Sequence, residues 1–598
     1  MGGDDQTRNL IMAAVLSMLV VFGWFALFPP PPPDDRPTTT TEGAPAPDGT
    51  KTETAAAAPI TRESAIEGDR IPVETPAVTG SIRLEGGRLD DLHLVRYKEK
   101  LEPGSDTIIL LNPSGTVSPY YIDHGWLRVE GAAETPLPKG DTPWTLEKGE
   151  KLTPATPITL KWDNGQGLIF RRTIAIDDQY LFTVTQSVEN TTGAEIKLAP
   201  FGKVSRYEGQ ATTALWILHE GAVAMVDDEL KEIDYDDLAE IAPDPRNGAR
   251  FQYLPVKENG WLGFTDKYWM TTLMSKPGTA FDAYYQVRQR GLIPEFQAQM
   301  RLPVQTIAAG QTATVESYFF AGAKEFYTMR GYEDQLGFKN FIDAIDWGWF
   351  YFLTKPIFQL LAWINGIIGN MGWSIITLTL IIKAILFPLA WKSYVSMSKM
   401  KKLQPEMQKI KERVGDDRQK MQQEMMGLYK KEKVNPAAGC LPILLQIPIF
   451  FSLYKVLFVT IEMRHAPFAL WIDDLSAPDP TSFLNLFGLL PWGVPDPTSF
   501  FAIFSIGVFP ILMGITMWLQ QKLNPSPTDP TQAMIFAWMP WVFMFMLGSF
   551  ASGLVIYWVA NNTITFIQQY LIMRSQGVDV DLLGNIKSSF KKKKKSET

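Results

Sequence analysis

A lysine, Lys383, stands in the middle of the apolar run 373–391, and that run leads directly into a segment, 392–433, carrying twelve Lys and Arg. An ammonium group at mid-depth in a bilayer costs about 2.5–3.5 kcal/mol on insertion scales, so it needs water, a partner or a function beside it. The pattern predicts a membrane protein with a wet place inside it. Averages conceal this, because the chain has two unlike halves. Residues 30–340 are polar with strand-like alternation, and residues 341–573 hold nearly all the long apolar stretches, so a formal charge of −8 and a mean hydropathy of −0.04 describe neither. The one cysteine, Cys440, excludes an intrachain disulfide framework and any multi-cysteine metal site.

Residues 10–28 are uncharged and long enough, at ~1.5 Å per residue, to cross a ~30 Å hydrocarbon layer. The run ends in Phe28 and five prolines rather than a small-residue cleavage site, so residues 1–28 read as a retained signal anchor. Residues 29–76, rich in Pro, Thr, Ala and Asp, read as a disordered tether. Across 77–335 short alternating segments such as Ser81-Ile-Arg-Leu, Leu168-Ile-Phe-Arg-Arg-Thr-Ile-Ala and Thr312-Ala-Thr-Val-Glu-Ser-Tyr-Phe lie between turn residues, which predicts one large β-sandwich. Residues 341–366 combine apolar positions with Asp343, Asp346, Lys355, Pro356 and three tryptophans, and suit a helix lying in the membrane interface. Residues 371–573 supply five further spans, expected at 373–391, 441–460, 500–519, 533–550 and 553–573. The segment 392–433 has six more basic than acidic residues, 462–499 has one Arg and no Lys, and the tail 574–598 is basic. By the positive-inside rule both termini are then cytoplasmic and the β domain lies on the outer side. The expected fold is a polytopic α-helical membrane protein with six spans, a five-helix core and a large periplasmic β-sandwich.

Within 392–433, Met397, Met400, Leu403, Met407 and Ile410 recur at three- and four-residue steps. Val414-Gly-Asp-Asp interrupts the series, and Met421, Met425, Leu428 and Tyr429 resume it. This predicts a helical hairpin with a Met-rich face, which either packs its two helices together or offers an adaptable surface to apolar clients. In a straight span Lys383 would lie about 12 Å from the inner end, with Thr379 one turn above it on the same face. Gln446, Asn561 and Asn562 add polar groups to two other spans. They gather in the cytoplasmic half, which describes a pocket open to the cytoplasm and lipid and closed toward the outside; such amides also simply bond neighbouring helices, at about 0.6 kcal/mol each. No Asp or Glu lies in the apolar core of any span, which argues against an ion-coupled transporter. Four scattered histidines, with no metal-ligand spacing, nucleophile elbow or phosphate loop, argue against an enzyme, and no metal or cofactor is expected.

A specific series of motifs runs through the second half in order. It comprises Gln404-Pro-Glu-Met, Gly415-Asp-Asp, Gln423-Glu-Met-Met-Gly-Leu-Tyr, Lys433-Val-Asn-Pro-Ala-Ala-Gly-Cys-Leu-Pro, Ala466-Pro-Phe-Ala-Leu-Trp-Ile-Asp-Asp-Leu-Ser and Ser552-Gly-Leu-Val-Ile-Tyr-Trp. With these the chain resembles the YidC family, the Oxa-type membrane protein insertases, in their long Gram-negative form. The resemblance implies insertion of nascent inner-membrane proteins through a hydrophilic groove, a hairpin that receives them, and cooperation with the SecYEG and SecDF translocon components and the ribosome. It puts Lys383 where bacterial members usually have Arg, which keeps the charge but loses the planar donor fork. It puts Thr379 at a substrate-contacting position, and Trp558 beside Tyr557 where relatives often have Tyr. Gln446, Asn561 and Asn562 complete the expected groove, and Met397, Met400, Met407, Met421 and Met425 the receiving surface. The terminal Lys591, Lys592, Lys593, Lys594 and Lys595 suit both the phospholipid bilayer and ribosomal RNA. A lipid-handling protein or small-solute transporter built on the same half-channel is the reading from another class.

Overall fold

The structure, a computed structural model, describes residues 60–129, 134–207, 218–243, 250–290, 293–415, 417–432, 434, 441–495, 504–524 and 530–578. The chain divides into two compact units, Met1–Asp346 and Trp347–Thr598. The expected signal anchor, residues 29–59 of the tether, Cys440 and the terminal lysines lie outside the described residues.

The first unit is two antiparallel sheets. In space, the ten-stranded sheet runs Arg70–Glu74, Val78–Arg83, Arg88–Lys98, Tyr120–Arg128, Ile196–Tyr207, Ile293–Arg301, Phe281–Arg290, Arg250–Val256, with Thr107–Leu111 and Gln305–Ile307 paired onto it. The nine-stranded sheet runs Glu229–Asp234, Gly221–Val226, Gly260–Thr265, Trp269–Ser275, Thr312–Ala323, Leu181–Asn190, Leu168–Ile176, Ile158–Asp163, Thr145–Lys148. Alternation in the sequence becomes alternation in burial: along Leu168–Ile176 every second residue is buried, as period-two side chains on a half-covered sheet require. Phe182 and Phe319 stack at 4.4 Å within this core. Three helices among the described residues complete the unit, α1 Arg62–Ala65, α2 Tyr235–Glu240 and α3 Phe326–Leu336. Tyr180 and Tyr97 hold the start of α3 by donating to Glu325, both at 2.8 Å.

Both limits of this unit correct the sequence reading. Within the expected tether the chain forms a helix at 62–65 and a strand at 70–74, where Ile71 and Val73 alternate inward on an edge strand too short to register against a polar background. At the other end a 3₁₀ turn, Phe341–Ala344, is buried in the sandwich unit, so the expected helix 341–366 starts ten residues late, as α4 Tyr351–Ile368.

The second unit continues with α5 Met371–Ile385, α6 Phe387–Val414, α7 Arg418–Lys431, α8 Leu441–Val459, α9 Val508–Leu523, α10 Pro530–Met546 and α11 Ser552–Ser575. Helix α4 buries Phe358, Leu361 and Ile364 but leaves Phe352, Trp363 and Ile367 exposed, so its outer face is apolar too. The expected hairpin is present, turning at Gly415. Corrections again concern length. The run 373–391 is not one straight helix: it breaks at Leu386, where α6 leaves α5 at 68°. Pro388 lies in the first turn of α6, where its missing N–H and fixed φ start a helix well but cannot continue one. The span expected at 500–519 begins as a helix only at Val508. Among the described residues no single helix is long and apolar enough to cross a membrane; α5 and α6 taken together pass as a bent pair.

Residues 461–495 close one end of the helical unit with hydrogen bonds to helix starts. Asn370 caps α5 by accepting from Trp373 N–H at 3.1 Å and donates its amide to the Phe468 carbonyl at 2.8 Å. A side chain at Gly372 would meet the Phe468 ring at 2.1 Å, so only glycine allows this approach. Ser552, first residue of α11, donates its N–H and its hydroxyl to the Ala477 carbonyl, at 2.7 and 2.8 Å. Asp479 is the key acceptor. One of its oxygens takes Thr481 N–H, the Thr481 hydroxyl and Trp471 Nε1, and the other takes Phe509 N–H at 2.9 Å in the first turn of α9. The loop thus supplies a cap that α9, preceded by Gly507, lacks locally.

Two tests follow from these contacts. Asp479→Ala strands four donors and should destabilise the helical unit by about 1–3 kcal/mol, read as a lower unfolding midpoint in detergent; Asp479→Asn, still an acceptor, should lose less. In the sandwich, His124 is buried, with Arg172 bonding its carbonyl, and burial together with that cation pushes the imidazole from 6.5 down to about 3. The unfolded chain takes up this proton near pH 6.5 and the folded one does not, so the resulting stability is present above that value and lost as pH falls toward 3. His124→Gln should reduce the decline in protease-probed stability of this unit between pH 7 and 5 by about one proton's worth.

Candidate polar track in the helical unit

Three of the expected groove residues form one hydrogen-bonded chain across three helices. Lys383 Nζ, in the last turn of α5, donates to Gln446 Oε1 on α8 at 3.2 Å. Gln446 Nε2 donates in turn to the Tyr557 hydroxyl on α11 at 2.8 Å. Tyr557 is 2% exposed, whereas Lys383 and Gln446 are half-buried, so the track runs from a closed end at α11 to an accessible end at α5. The break at Leu386 removes the straight span along which the distance of Lys383 from the inner end was reckoned. Its ammonium sits beside the C-terminal turn of α5, where the helix dipole favours a cation.

The other expected positions separate from this chain. Thr379 is buried, but its hydroxyl donates to the Ile375 carbonyl at 2.7 Å and is satisfied within its own helix. Trp558 turns to an apolar neighbour, stacking on Phe450 at 4.9 Å. Asn561 and Asn562 continue the polar side of α11 beyond Tyr557, and Asn561 Oδ1 and Asn562 Nδ2 are buried without a hydrogen-bond partner. Sequence reasoning did not single out Ser452 on α8, whose buried hydroxyl also lacks a partner. A serine in the apolar run 441–460 was its only signal. Buried polar atoms left in this state cost about 1–3 kcal/mol each unless water or a bound chain satisfies them. The hydrogen-bonded chain itself comprises an ammonium, an amide and a phenol hydroxyl, and Asn561, Asn562 and Ser452 are further buried polar groups on two of the same helices.

On the hairpin, Met407 is buried against α7, with the Tyr429 hydroxyl 3.8 Å from its sulfur. Met397, Met400, Met421 and Met425 are half-buried, and the methionine left most open is Met426, which the periodicity did not select. The Met series therefore serves partly as hairpin packing. The base of the hairpin is tied to the rest of the unit. Lys401 and Lys402 donate to the carbonyls of Leu523 and Gln576, at 3.4 and 2.8 Å, which are the C-terminal ends of α9 and α11. The hairpin and the loop 461–495 thus sit at opposite ends of these helices.

Comparison with known proteins bears on both units. The family model described as the YidC periplasmic domain matches residues 70–360, and that of the 60Kd inner membrane protein matches residues 363–578. The Membrane protein insertase YidC of Dinoroseobacter shibae is 57% identical over 99% of this chain and 100% of its own length. Those of Jannaschia sp. and Ruegeria pomeroyi are each 55% identical over 99% of this chain and 100% of theirs. A solved YidC insertase aligns with 94% of this chain and 99% of its own at 16% identity and a TM-score of 0.37. Full-length identity of this order, with both family models in register along the sequence, places the chain in the YidC family of membrane protein insertases.

Proposed function

We propose that this insertase receives the polar flank of a nascent membrane segment on the track formed by Lys383, Gln446 and Tyr557, while the apolar part of the segment passes into lipid. Insertion of membrane proteins at the inner membrane is the family activity, and it is not enzymatic catalysis. The observation that carries the residue assignment is the continuous hydrogen-bonded chain across α5, α8 and α11. A polar flank on its way through hydrocarbon loses its water, and a row of donors and acceptors at the accessible end of this chain replaces part of it. Asn561, Asn562 and Ser452, with unpartnered polar atoms, extend the same service. The Lys383 charge favours acidic flanks. No nucleotide enters the proposal, because partition of the apolar segment into lipid supplies the drive.

The remaining assignments are proposals of the same kind. The chain crosses the membrane six times, with five of the crossings in the core; both termini and the hairpin are cytoplasmic, the sandwich is periplasmic, and α4 lies in the interface. The half-buried Met397, Met400, Met421 and Met425 meet the incoming segment, and Met407 holds the hairpin together. SecYEG, SecDF and the ribosome are the proposed partners. The basic hairpin and Lys591, Lys592, Lys593, Lys594 and Lys595 contact the ribosome through salt-sensitive charge attraction. Neutralising those five lysines should lower ribosome co-sedimentation at low salt, and an unchanged amount would leave anionic lipid as their only partner.

The track is tested with one single-span substrate bearing acidic, neutral or basic flanks, at equal insertase abundance. Lys383→Arg should support insertion of all three. Lys383→Met should reduce insertion of the acidic-flank form about tenfold or more, the worth of a charge-assisted hydrogen bond. Gln446→Glu, which pairs the ammonium internally, should erase the preference among flanks while leaving the neutral substrate inserted. Equal insertion by the Lys and Met forms for every flank would remove Lys383 from the mechanism.

A further inference from the structure

The segment 482–492 of the loop between α8 and α9 is built inside-out. Ser482 and Asn485 are buried, while Leu486, Phe487, Leu489 and Trp492 are exposed, Leu489 to 84%. The buried polar groups organise the segment. Ser482 Oγ accepts from Leu484 N–H at 3.2 Å, Asn485 Oδ1 accepts from Gly488 N–H at 3.0 Å, and Trp492 Nε1 donates to the Leu484 carbonyl at 3.1 Å. In water this distribution would be reversed, since large exposed apolar groups on a polar frame gain nothing there.

Backbone conformation points the same way. Six non-glycine residues among those described have positive φ, and four are in this loop: His465, Leu470, Leu486 and Phe487. Leu470, Leu486 and Phe487 are large apolar residues that face outward, Leu470 being 80% exposed. The left-handed region costs a residue of this type roughly 1–2 kcal/mol, so the chain accepts strain at the very positions that present apolar side chains. Residues 483–495 carry no charged side chain.

Helix length supplies a reason. At ~1.5 Å per residue the 15-residue α5, 16-residue α9 and 17-residue α10 rise only about 22–26 Å, short of a ~30 Å hydrocarbon layer. The loop stands at the starts of the short helices α5 and α9, and of the longer α11, so its apolar residues lie beside the end where α5 and α9 run out. We infer that residues 483–494, with Leu470, are embedded in the outer leaflet and complete the lipid-facing surface that the short helices leave unfinished. The occupant is the bilayer itself, because the exposed surface continues that of the apolar helices and bears no charge a protein partner would pair. Trp492, with its ring in lipid and its N–H already satisfied by the protein, fixes the depth of the loop.

The inference rests on the helical unit being membrane-embedded, and its test separates the two. In a full-length Cys440→Ser background, a nitroxide is attached at Leu489→Cys, at Trp538→Cys on exposed α10 and at Leu101→Cys on the sandwich surface. The protein is reconstituted in phosphatidylethanolamine and phosphatidylglycerol vesicles, and collisions with oxygen and with a water-soluble nickel chelate are compared. Trp538→Cys should give a high oxygen-to-nickel ratio and Leu101→Cys a low one, which reports embedding alone. Leu489→Cys should give a ratio several-fold above Leu101→Cys, near that of Trp538→Cys, and Leu470→Cys provides the same reading if the first variant fails to fold. Nickel access at Leu489 equal to that at Leu101 would put the loop in water; exclusion of both reagents would put it under protein. Either result overturns the inference.

Discussion

The helical unit is governed by what hydrocarbon does to an unpaired hydrogen-bonding group. Each such group must be satisfied inside the protein or face water, and the unit resolves this differently at its two ends. At the end closed by residues 461–495, Asn370, Asp479 and Ser552 tie the loop to the first turns of α5, α9 and α11, so the helix starts there are met by protein. At the hairpin end the ties are lysine side chains, Lys401 and Lys402 on the last carbonyls of α9 and α11. Between the two ends Lys383, Gln446 and Tyr557 satisfy one another in a line, and Asn561, Asn562 and Ser452 are left with unpartnered atoms.

Much of this was legible because it is written in residue type. A lysine in an apolar run, an amide on each of two neighbouring runs and a turn at Gly415-Asp-Asp are local signals, and the structure joins the first of them into one chain. Alternating burial in Leu168–Ile176 was readable for the same reason: period two has only one explanation on a half-covered sheet. Illegible features depend on partners distant in sequence. Asp479 looks like an ordinary loop acid until Phe509, thirty residues on, is found donating to it. Hydropathy likewise records how apolar a run is and not whether it is straight, so the break at Leu386 passed unnoticed although Pro388 was in view.

The sandwich unit shows a different use of buried charge. Arg172 is 2% exposed, donates to the carbonyls of Gly87 and His124, and lies over the Trp144 ring at 4.7 Å. Burial pushes it down to about 10, which still leaves it a cation at neutral pH. Here the charge joins the two sheets through backbone acceptors, and no opening to a ligand is needed to account for it. Half-buried Lys383, by contrast, has one acceptor among the described residues and an accessible side. The two cations thus differ in how many described acceptors meet them and in how far each faces out of the protein.

Helix α6 has a mechanical consequence. It is one helix of 28 residues, about 42 Å along its axis, with the break at Leu386 at one end, the hairpin turn at the other and Pro405 inside it. Near its middle Lys401 and Lys402 rest on the ends of α9 and α11. Pro405 follows that anchor directly, and its missing N–H removes one bond of the helix ladder. The part of the hairpin beyond Pro405 is therefore held to the anchored part by one backbone bond fewer than a continuous helix would give it.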